Sequence, residues 1–267
     1  MPFRADMERC PACGLVWAGK MHSGSPIYDA GLEKDIYVEG KTALFRSCLE
    51  TLAARAPSRG RLLDVGSAYG AFMGLAKIGG WDAEGVEIDP KMVSVSSAAG
   101  FKVYDRPLEE LSLPADSYNV ITVFEVLCMM DAPVDAVAQM HRILAPKGSL
   151  YIREFNGAFH LALDGFWLFE LLGLRPTIVH NFNFTAESLR RMLTAAGFAR
   201  VKIRNSPPTS GDPYRTGGRL GGLFTGLLKF LYYYLSQAVY FASFGRVFTG
   251  SSLIITARKW PSDGHRP

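Results

Sequence analysis

Two carboxylates and the glycines between them carry the clearest chemistry in the chain. Asp64-Val65-Gly66-Ser67-Ala68-Tyr69-Gly70 is a glycine-rich turn after a short apolar run, and Glu87 follows 21 residues after Gly66. Glycines in such a turn let the backbone approach a ligand closely and take up dihedrals closed to other residues. A carboxylate at the end of the next strand can accept hydrogen bonds from both hydroxyls of a ribose. Taken alone, the pair suits nicotinamide and flavin cofactors as well as other adenosine compounds. A nicotinamide reading aligns Gly66, Ala68 and Ala71 with G.G..G/A, but Ala68 then stands where a pyrophosphate must come closest, and Asp64 has no task.

Those residues need a strand before the turn, a helix after it and a second strand ending near Glu87. Residues 40 to 55 (GKTALFRSCLETLAAR) place Leu44, Cys48, Leu49 and Leu52 on one stripe, which predicts an amphipathic helix closed by Pro57. RLLDV (61 to 65) is the strand, AFMGLAKIGG (71 to 80) the helix and WDAEGVEID (81 to 89) the second strand. Pro90 opens a helix to about Ala99, FKVYD (101 to 105) is a third strand, and YNVITVFEVL (118 to 127) is a buried fourth. DAPVDAVAQMHRILAPKG (131 to 148) is a helix ended by Pro146 and Gly148, and SLYIREF (149 to 155) is the fifth strand. Alternation of this kind predicts right-handed crossovers and a parallel sheet covered on both faces. Beyond it, residues 158 to 174 are apolar and helical, and Thr185 is an N-cap for a further helix. AGFARVKIRN (196 to 205) and SSLIITARK (251 to 259) are the last strands, separated by an insertion of roughly 45 residues, far longer than an ordinary connection.

With these motifs in order, residues 40 to 205 resemble the class I S-adenosylmethionine-dependent methyltransferases, in the subgroup common in quinone, lipid and saccharide modification. The resemblance implies S-adenosyl-L-methionine as cofactor. It also implies a Rossmann-like fold: a seven-stranded, mostly parallel sheet with helices on both faces, ending in an antiparallel hairpin. LLDVGSAYG matches the family's first motif, which places Asp64 beside the methionine part of the cofactor and wraps Gly66, Ser67, Ala68 and Gly70 around it. GVEID matches the second, with Glu87 on the ribose and Ile88 beside it. DRPLEELSLPADSYNVITVFEVL puts Leu108 and Glu109 near the adenine, with Phe124 and Glu125 facing the cofactor from the end of the fourth strand. ILAPKGSLYI and HNFNFTAESLRRMLTAAGF match two later stretches. Three departures stand out. Ala68 replaces the middle glycine of G.G.G, Lys147 replaces the first of a glycine pair, and Leu127-Cys128-Met129 stands where many relatives read Leu-Glu-His.

Methyl transfer from a sulfonium expels a neutral leaving group, so alignment and exclusion of water supply much of the acceleration. A general base is needed only where the acceptor must lose a proton. Of five histidines, His22 and His265 lie near the termini and His141 sits inside a crossover helix, in a structural or solvated role. His180 and His160 follow the fifth strand, where this fold covers its acceptor, and they are the candidate base or acceptor-orienting groups. Each would otherwise cap or bridge loops. Cys10-Pro11-Ala12-Cys13 has the spacing of half a zinc ribbon, but Cys48 and Cys128 lie in other elements, so no metal is expected and a remnant knuckle is the reading.

Composition adds one anomaly. The 267 residues are 48% hydrophobic and 20% charged, which excludes a disordered chain or a disulfide scaffold, yet a mean hydropathy of +0.09 is high for a water-soluble enzyme. Residues 200 to 267 hold ten lysines and arginines against Asp212 and Asp263. Between Lys229 and Arg246 lie sixteen uncharged residues, rich in Tyr and Phe and shorter than the ~20 needed to cross a bilayer. That segment, flanked by Arg215, Arg219, Lys229 and Arg246, is expected either on an anionic membrane surface or as a lid over a lipophilic acceptor, together with Phe166, Trp167 and Phe169. A helical hairpin packed on the sheet or on a second subunit is the plainer alternative. The domain reading is an N-terminal remnant (1–39), a cofactor domain (40–205 with 251–260) and an apolar helical insertion (206–250). With no apolar leader after Met1, the expected compartment is the cytoplasm, with or without peripheral attachment to the inner membrane face. The expected activity is methyl transfer, to oxygen, on a small-molecule, quinone, lipid or saccharide acceptor, including a lipid-linked one. Carbon or nitrogen methylation and a non-catalytic cofactor-binding scaffold are the alternatives. No nucleic-acid partner is expected, because the basic residues are interleaved with an apolar segment and line no groove of stacking aromatics.

Overall fold

A computed structural model describes residues 2–4, 7–19, 40–56, 58–164, 180–209 and 218–260. His22, Pro57, Phe166, Trp167, Phe169, Arg215 and His265 lie outside the described residues, as does the second half of the helix expected over 158 to 174.

The chain opens on three short strands, β1 (Pro2–Arg4), β2 (Met7–Arg9) and β3 (Val16–Ala18). The strand-helix alternation then runs through α1 (Thr42–Ala53), β4 (Gly60–Val65), α2 (Ala71–Ile78), β5 (Trp81–Val86), α3 (Pro90–Ala98) and β6 (Lys102–Tyr104). It continues through β7 (Tyr118–Phe124), α4 (Pro133–Ile143), β8 (Leu144–Phe155) and α5 (Gly157–Asp164). The last elements are β9 (Phe182–Asn183), α6 (Ala186–Ala195), β10 (Phe198–Asn205), α7 (Gly218–Ala242) and β11 (Ser252–Lys259). Among the described residues, seven strands form one sheet in the order β10-β11-β8-β7-β4-β5-β6. The pairs from β8 to β6 are parallel, whereas β11 runs antiparallel to both β8 and β10. Strand order reverses at β4, between β5 and β7, and open α/β sheets bind ligands at that switch point.

Strand alternation divides the core into two. Leu63, Val65, Ile121 and Val123 face one side, where Val137 and Met140 of α4 and Leu189 of α6 cover them. Leu62, Val120 and Phe124 face the other, packed against Leu44 and Leu52 of α1 and Phe72 of α2. Asp64 and Thr122 share the register of this second face, so the strand period itself sends the Asp64 carboxylate into the interior.

Two element boundaries and two segments depart from the sequence expectation. The fourth crossover helix stops at Ile143, and the segment from Leu144 to Gly148 is extended and joins β8. Pro146 disfavours a helical Ala145, and Lys147 takes φ 65°, the left-handed conformation for which the family's glycine is suited. The fourth strand ends at Phe124, because Glu125 has φ 60° and turns the chain away. The N-terminal segment, expected as an unpatterned remnant, is a hairpin whose β3 pairs antiparallel with β9 through Val16↔Asn183 and Trp17↔Phe182. Among its described residues the long insertion holds one helix, α7, lying beside the edge strand β10.

Candidate active site

The glycine turn is built by backbone bonds to the neighbouring strand. Gly66 and Ser67 both donate their N–H to the Val86 carbonyl oxygen, at 2.8 and 3.0 Å, and Gly70 N donates to Ser67 O at 2.9 Å. Gly66 has φ 76°, and a Cβ there would stand 2.2 Å from Val126 Cγ2, so the position takes no side chain. Ala68 adopts φ 46°, a conformation a glycine would hold without strain, at a cost of about 1 kcal/mol. The strain has a use, since Ala68 N donates to Glu87 Oε2 at 2.9 Å. Glu87 Oε1 accepts from Ile88 N and Asp89 N, at 2.8 and 2.9 Å. Three backbone donors thus hold the carboxylate at the cavity wall, and Oε2, which accepts only one of them, keeps a lone pair for a ribose hydroxyl.

Between the carboxyl ends of β4, β5 and β7 lies a cavity of about 350 Å³. Of the residues expected at the cofactor, Asp64, Gly66, Ser67, Ala68, Glu87, Ile88, Leu108, Glu109, Phe124 and Glu125 line it. Gly70 does not; at φ 81° it starts α2 beneath the loop. Asp64 is 2% exposed and accepts a hydrogen bond from Thr122 Oγ1 at 2.7 Å. Burial, with the Glu87 charge adding to it, pushes its carboxyl up to about 8 against the pull of Thr122 and Lys41. A cationic ligand in the cavity favours its ionised form. Ile88 is 64% exposed at the cavity, and Leu108 and Met92 present buried apolar surface, which suits a flat heterocycle. A buried acid for a cationic end, a fixed carboxylate for a diol and apolar walls for a base fit S-adenosyl-L-methionine.

The sequence reading named Glu125 but missed its charged partners, Lys41, at the wall of this cavity, and Arg153. Lys41, just before α1, places Nζ 2.7 Å from Glu125 Oε2, and the Arg153 guanidinium pairs with the other oxygen of the same carboxylate. Arg153 Nε also donates to Ser206 Oγ at 2.9 Å. The Glu125 amide donates to Arg153 O at 2.7 Å, so backbone and side-chain contacts together impose its left-handed turn. Next to Arg153, Glu154 is wholly buried and accepts from Phe155 N at 2.8 Å and Cys128 N at 3.3 Å. Burial raises its carboxyl to about 7, and burial with the Arg153 charge lowers the Lys41 ammonium to about 7. A signal was present in the sequence: Arg153-Glu154 interrupts an otherwise apolar strand, and charges there need partners.

Leu127-Cys128-Met129 forms a 3-10 turn that presents Met129 to the cavity, and Glu154, from the adjacent strand, takes up the Cys128 amide. His160 and His180 lie off this cavity, both against the Phe155 ring at the carboxyl end of β8. His180 stacks on it, with ring centres 4.9 Å apart, and its backbone is tied to Asn183. Burial, with a smaller contribution from His160, lowers the His180 imidazolium to about 4. His160 Nε2 donates to the Ser251 carbonyl oxygen at 3.0 Å, which assigns the lone pair to the buried Nδ1; burial lowers this imidazole too. Both rings are neutral at pH 7. His141 packs its ring against Phe198, away from the cavity.

Cys10 and Cys13 lie in the turn between β2 and β3, and Thr185, the N-cap of α6, donates Oγ1–H to the Cys13 carbonyl oxygen at 2.8 Å. Among the described residues no group of three or more His, Cys, Asp and Glu gathers that could hold a metal. The turn docks the N-terminal hairpin onto the segment that carries His180.

A family model described as a methyltransferase domain matches residues 37–203. Two curated relatives are ubiquinone/menaquinone biosynthesis C-methyltransferases. The one from Stutzerimonas stutzeri is 30% identical, over 43% of this chain and 51% of the relative. The one from Saccharophagus degradans is 32% identical, over 41% and 51%. The chain thus spans about half the length of the curated relatives it matches. Among solved structures, a SAM-dependent methyltransferase from Archaeoglobus fulgidus superposes with a TM-score of 0.58 at 18% identity, covering 86% of this chain and all of the other. One from Mesorhizobium loti gives 0.54 at 17% identity, covering 82% and 98%. At these identities the superpositions show a shared fold. The ordered motifs, the sheet order and the match across residues 37–203 agree: the chain belongs to the class I S-adenosylmethionine-dependent methyltransferases.

Proposed function

We propose that the protein transfers a methyl group from S-adenosyl-L-methionine to an oxygen of a lipophilic small molecule, such as a phenol, a quinol or a lipid-linked saccharide. The observation that carries the reading is the cavity at the switch point, with Asp64 and Glu87 on its polar side and Val126, Met129 and Met130 on its apolar side. When bound, the cofactor supplies an electrophilic methyl on a sulfonium whose leaving group is a neutral thioether. The chain's own residues bind and orient. Asp64 meets the cationic end, Glu87 holds the ribose, and the Lys41–Glu125–Arg153 cluster fixes the turn after β7 at the cavity wall. An acceptor hydroxyl must give up its proton as the new bond forms. His180, stacked on the Phe155 ring at the carboxyl end of β8, is the candidate to take it or to orient the acceptor, and His160, held by the Ser251 carbonyl, is the second.

A second reading, methylation of carbon, is favoured by the names of the two curated relatives. The test is to incubate the purified protein with labelled cofactor and a panel of phenols and quinols with and without isoprenoid tails. Mass spectrometry follows S-adenosylhomocysteine and product, and NMR places the methyl. A methoxy signal supports the first reading and an aryl-methyl signal the second. No turnover with any acceptor, together with intact cofactor binding, would favour a scaffold.

A further inference from the structure

Over its described side chains, from residue 226 onward, the insertion helix α7 packs by one face. Tyr232 donates to the Thr249 carbonyl oxygen, Asn205 Nδ2 donates to Ser236 O at 3.2 Å, and Ser236 is buried. The opposite face carries Leu227, Leu231, Tyr234, Leu235 and Phe241, each between 59% and 72% exposed, and Phe244 in the turn that follows is 90% exposed. None of the exposed residues from Leu227 through Phe244 is charged. Helices that face water carry polar residues on that side, so this face is built for another medium. No helix among the described residues is long and apolar enough to cross a membrane.

Charge decides between occupants. From residue 213 to 250 the chain has no aspartate or glutamate, but it has four lysines and arginines, and Lys229 and Arg246 bracket the apolar face. A second copy meeting this face about a two-fold axis would bring cation to cation. An anionic lipid surface complements it: apolar and aromatic side chains enter the headgroup boundary while the basic residues meet phosphates. We propose that the outer face of α7 docks on an anionic bilayer, the helix lying in the plane of the surface along its ~37 Å length. The location suits the active site. The inner face touches α5 through Tyr232 and Phe159, ring centres 5.2 Å apart, and Phe159 adjoins His160, so the docked helix brings the acceptor end of the sheet to the lipid. Docking itself does not depend on what the acceptor is.

The test is flotation of the full chain with vesicles of phosphatidylcholine alone and of phosphatidylcholine mixed with phosphatidylglycerol. The expected result is co-flotation with the anionic vesicles that weakens with salt. Partitioning should fall at least ~10-fold in Leu231→Glu/Phe241→Glu, whose circular dichroism and cofactor affinity match the parent. Both substitutions are on solvent-exposed positions, so a folded variant is expected. No binding of the intact protein to anionic vesicles overturns the proposal, and so does equal binding by the double variant. Self-association in sedimentation that the double variant abolishes, without lipid binding, assigns the face to a second copy instead.

Discussion

Replacing Asp64 by Asn tests the cofactor site through its proton. The Asp64 carboxyl stands at about 8 because it is buried, with Glu87 reinforcing the effect. At neutral pH the cofactor-free protein therefore holds this group largely protonated. The cationic end of S-adenosylhomocysteine favours the carboxylate, so binding releases a proton wherever the pH lies below about 8, and affinity rises with pH up to that point. From pH ~6 to pH ~7.5 a group titrating near 8 should strengthen binding by ~25-fold, equivalent to about 1.9 kcal/mol. Lys41 and Glu154 titrate near 7 in the same window. Asp64→Asn retains both, so the difference between the two pH slopes isolates Asp64. Isothermal titration of S-adenosylhomocysteine, in two buffers of different ionisation enthalpy, reads affinity and proton release together. The variant should bind ~30-fold more weakly at the upper pH, where the native residue is an anion, and approach the native affinity at the lower pH. Identical slopes in the two proteins, or binding without proton release below pH ~7, would refute the argument.

Three further outcomes are expected. Lys41→Met leaves Glu125 with only Arg153 and should cost about 2–3 kcal/mol in urea unfolding, of which Lys41→Met/Glu125→Gln recovers a part, a coupling a double-mutant cycle measures. His160→Gln and His180→Ala should each lower turnover more than ~10-fold with cofactor affinity unchanged. Glu84, away from the cavity, is held at about 2: burial opposes ionisation, but hydrogen bonds from Tyr118, Arg61 and Tyr104, at 2.7, 2.8 and 2.9 Å, overcome it. A depressed carboxyl stabilises above its ordinary pKa of 4.5 and loses that contribution as the pH falls toward 2. Glu84→Gln should therefore cost about 2 kcal/mol at pH ~7 and nothing at the acid end, as chemical denaturation across pH would show.

The strand-helix alternation, the glycine turn and Glu87 were legible in the sequence because their causes are local. Apolar period, a left-handed turn and an N-cap act within a few residues, as with Thr185 capping α6 through Ser188 N. Where neighbouring residues shift a boundary, as Pro146 does at the end of α4, the reading slipped by a few residues.

What only the tertiary structure decided are the arrangements that join distant segments. Lys41 and Arg153 meet on the Glu125 carboxylate and Ser206 on Arg153, yet nothing in the spacing of those four positions fixes a contact, because each comes from a different part of the chain brought in by the sheet order. The cysteine turn found its place as a brace on the cap of α6, 172 residues away. The apolar excess of the composition was visible at once, but which side of α7 carries it outward followed only from the bonds that fix Tyr232 and Ser236 inward. Sequence sets what each element is able to bury or bond, whereas packing decides which of those capacities remains open to a ligand or a surface.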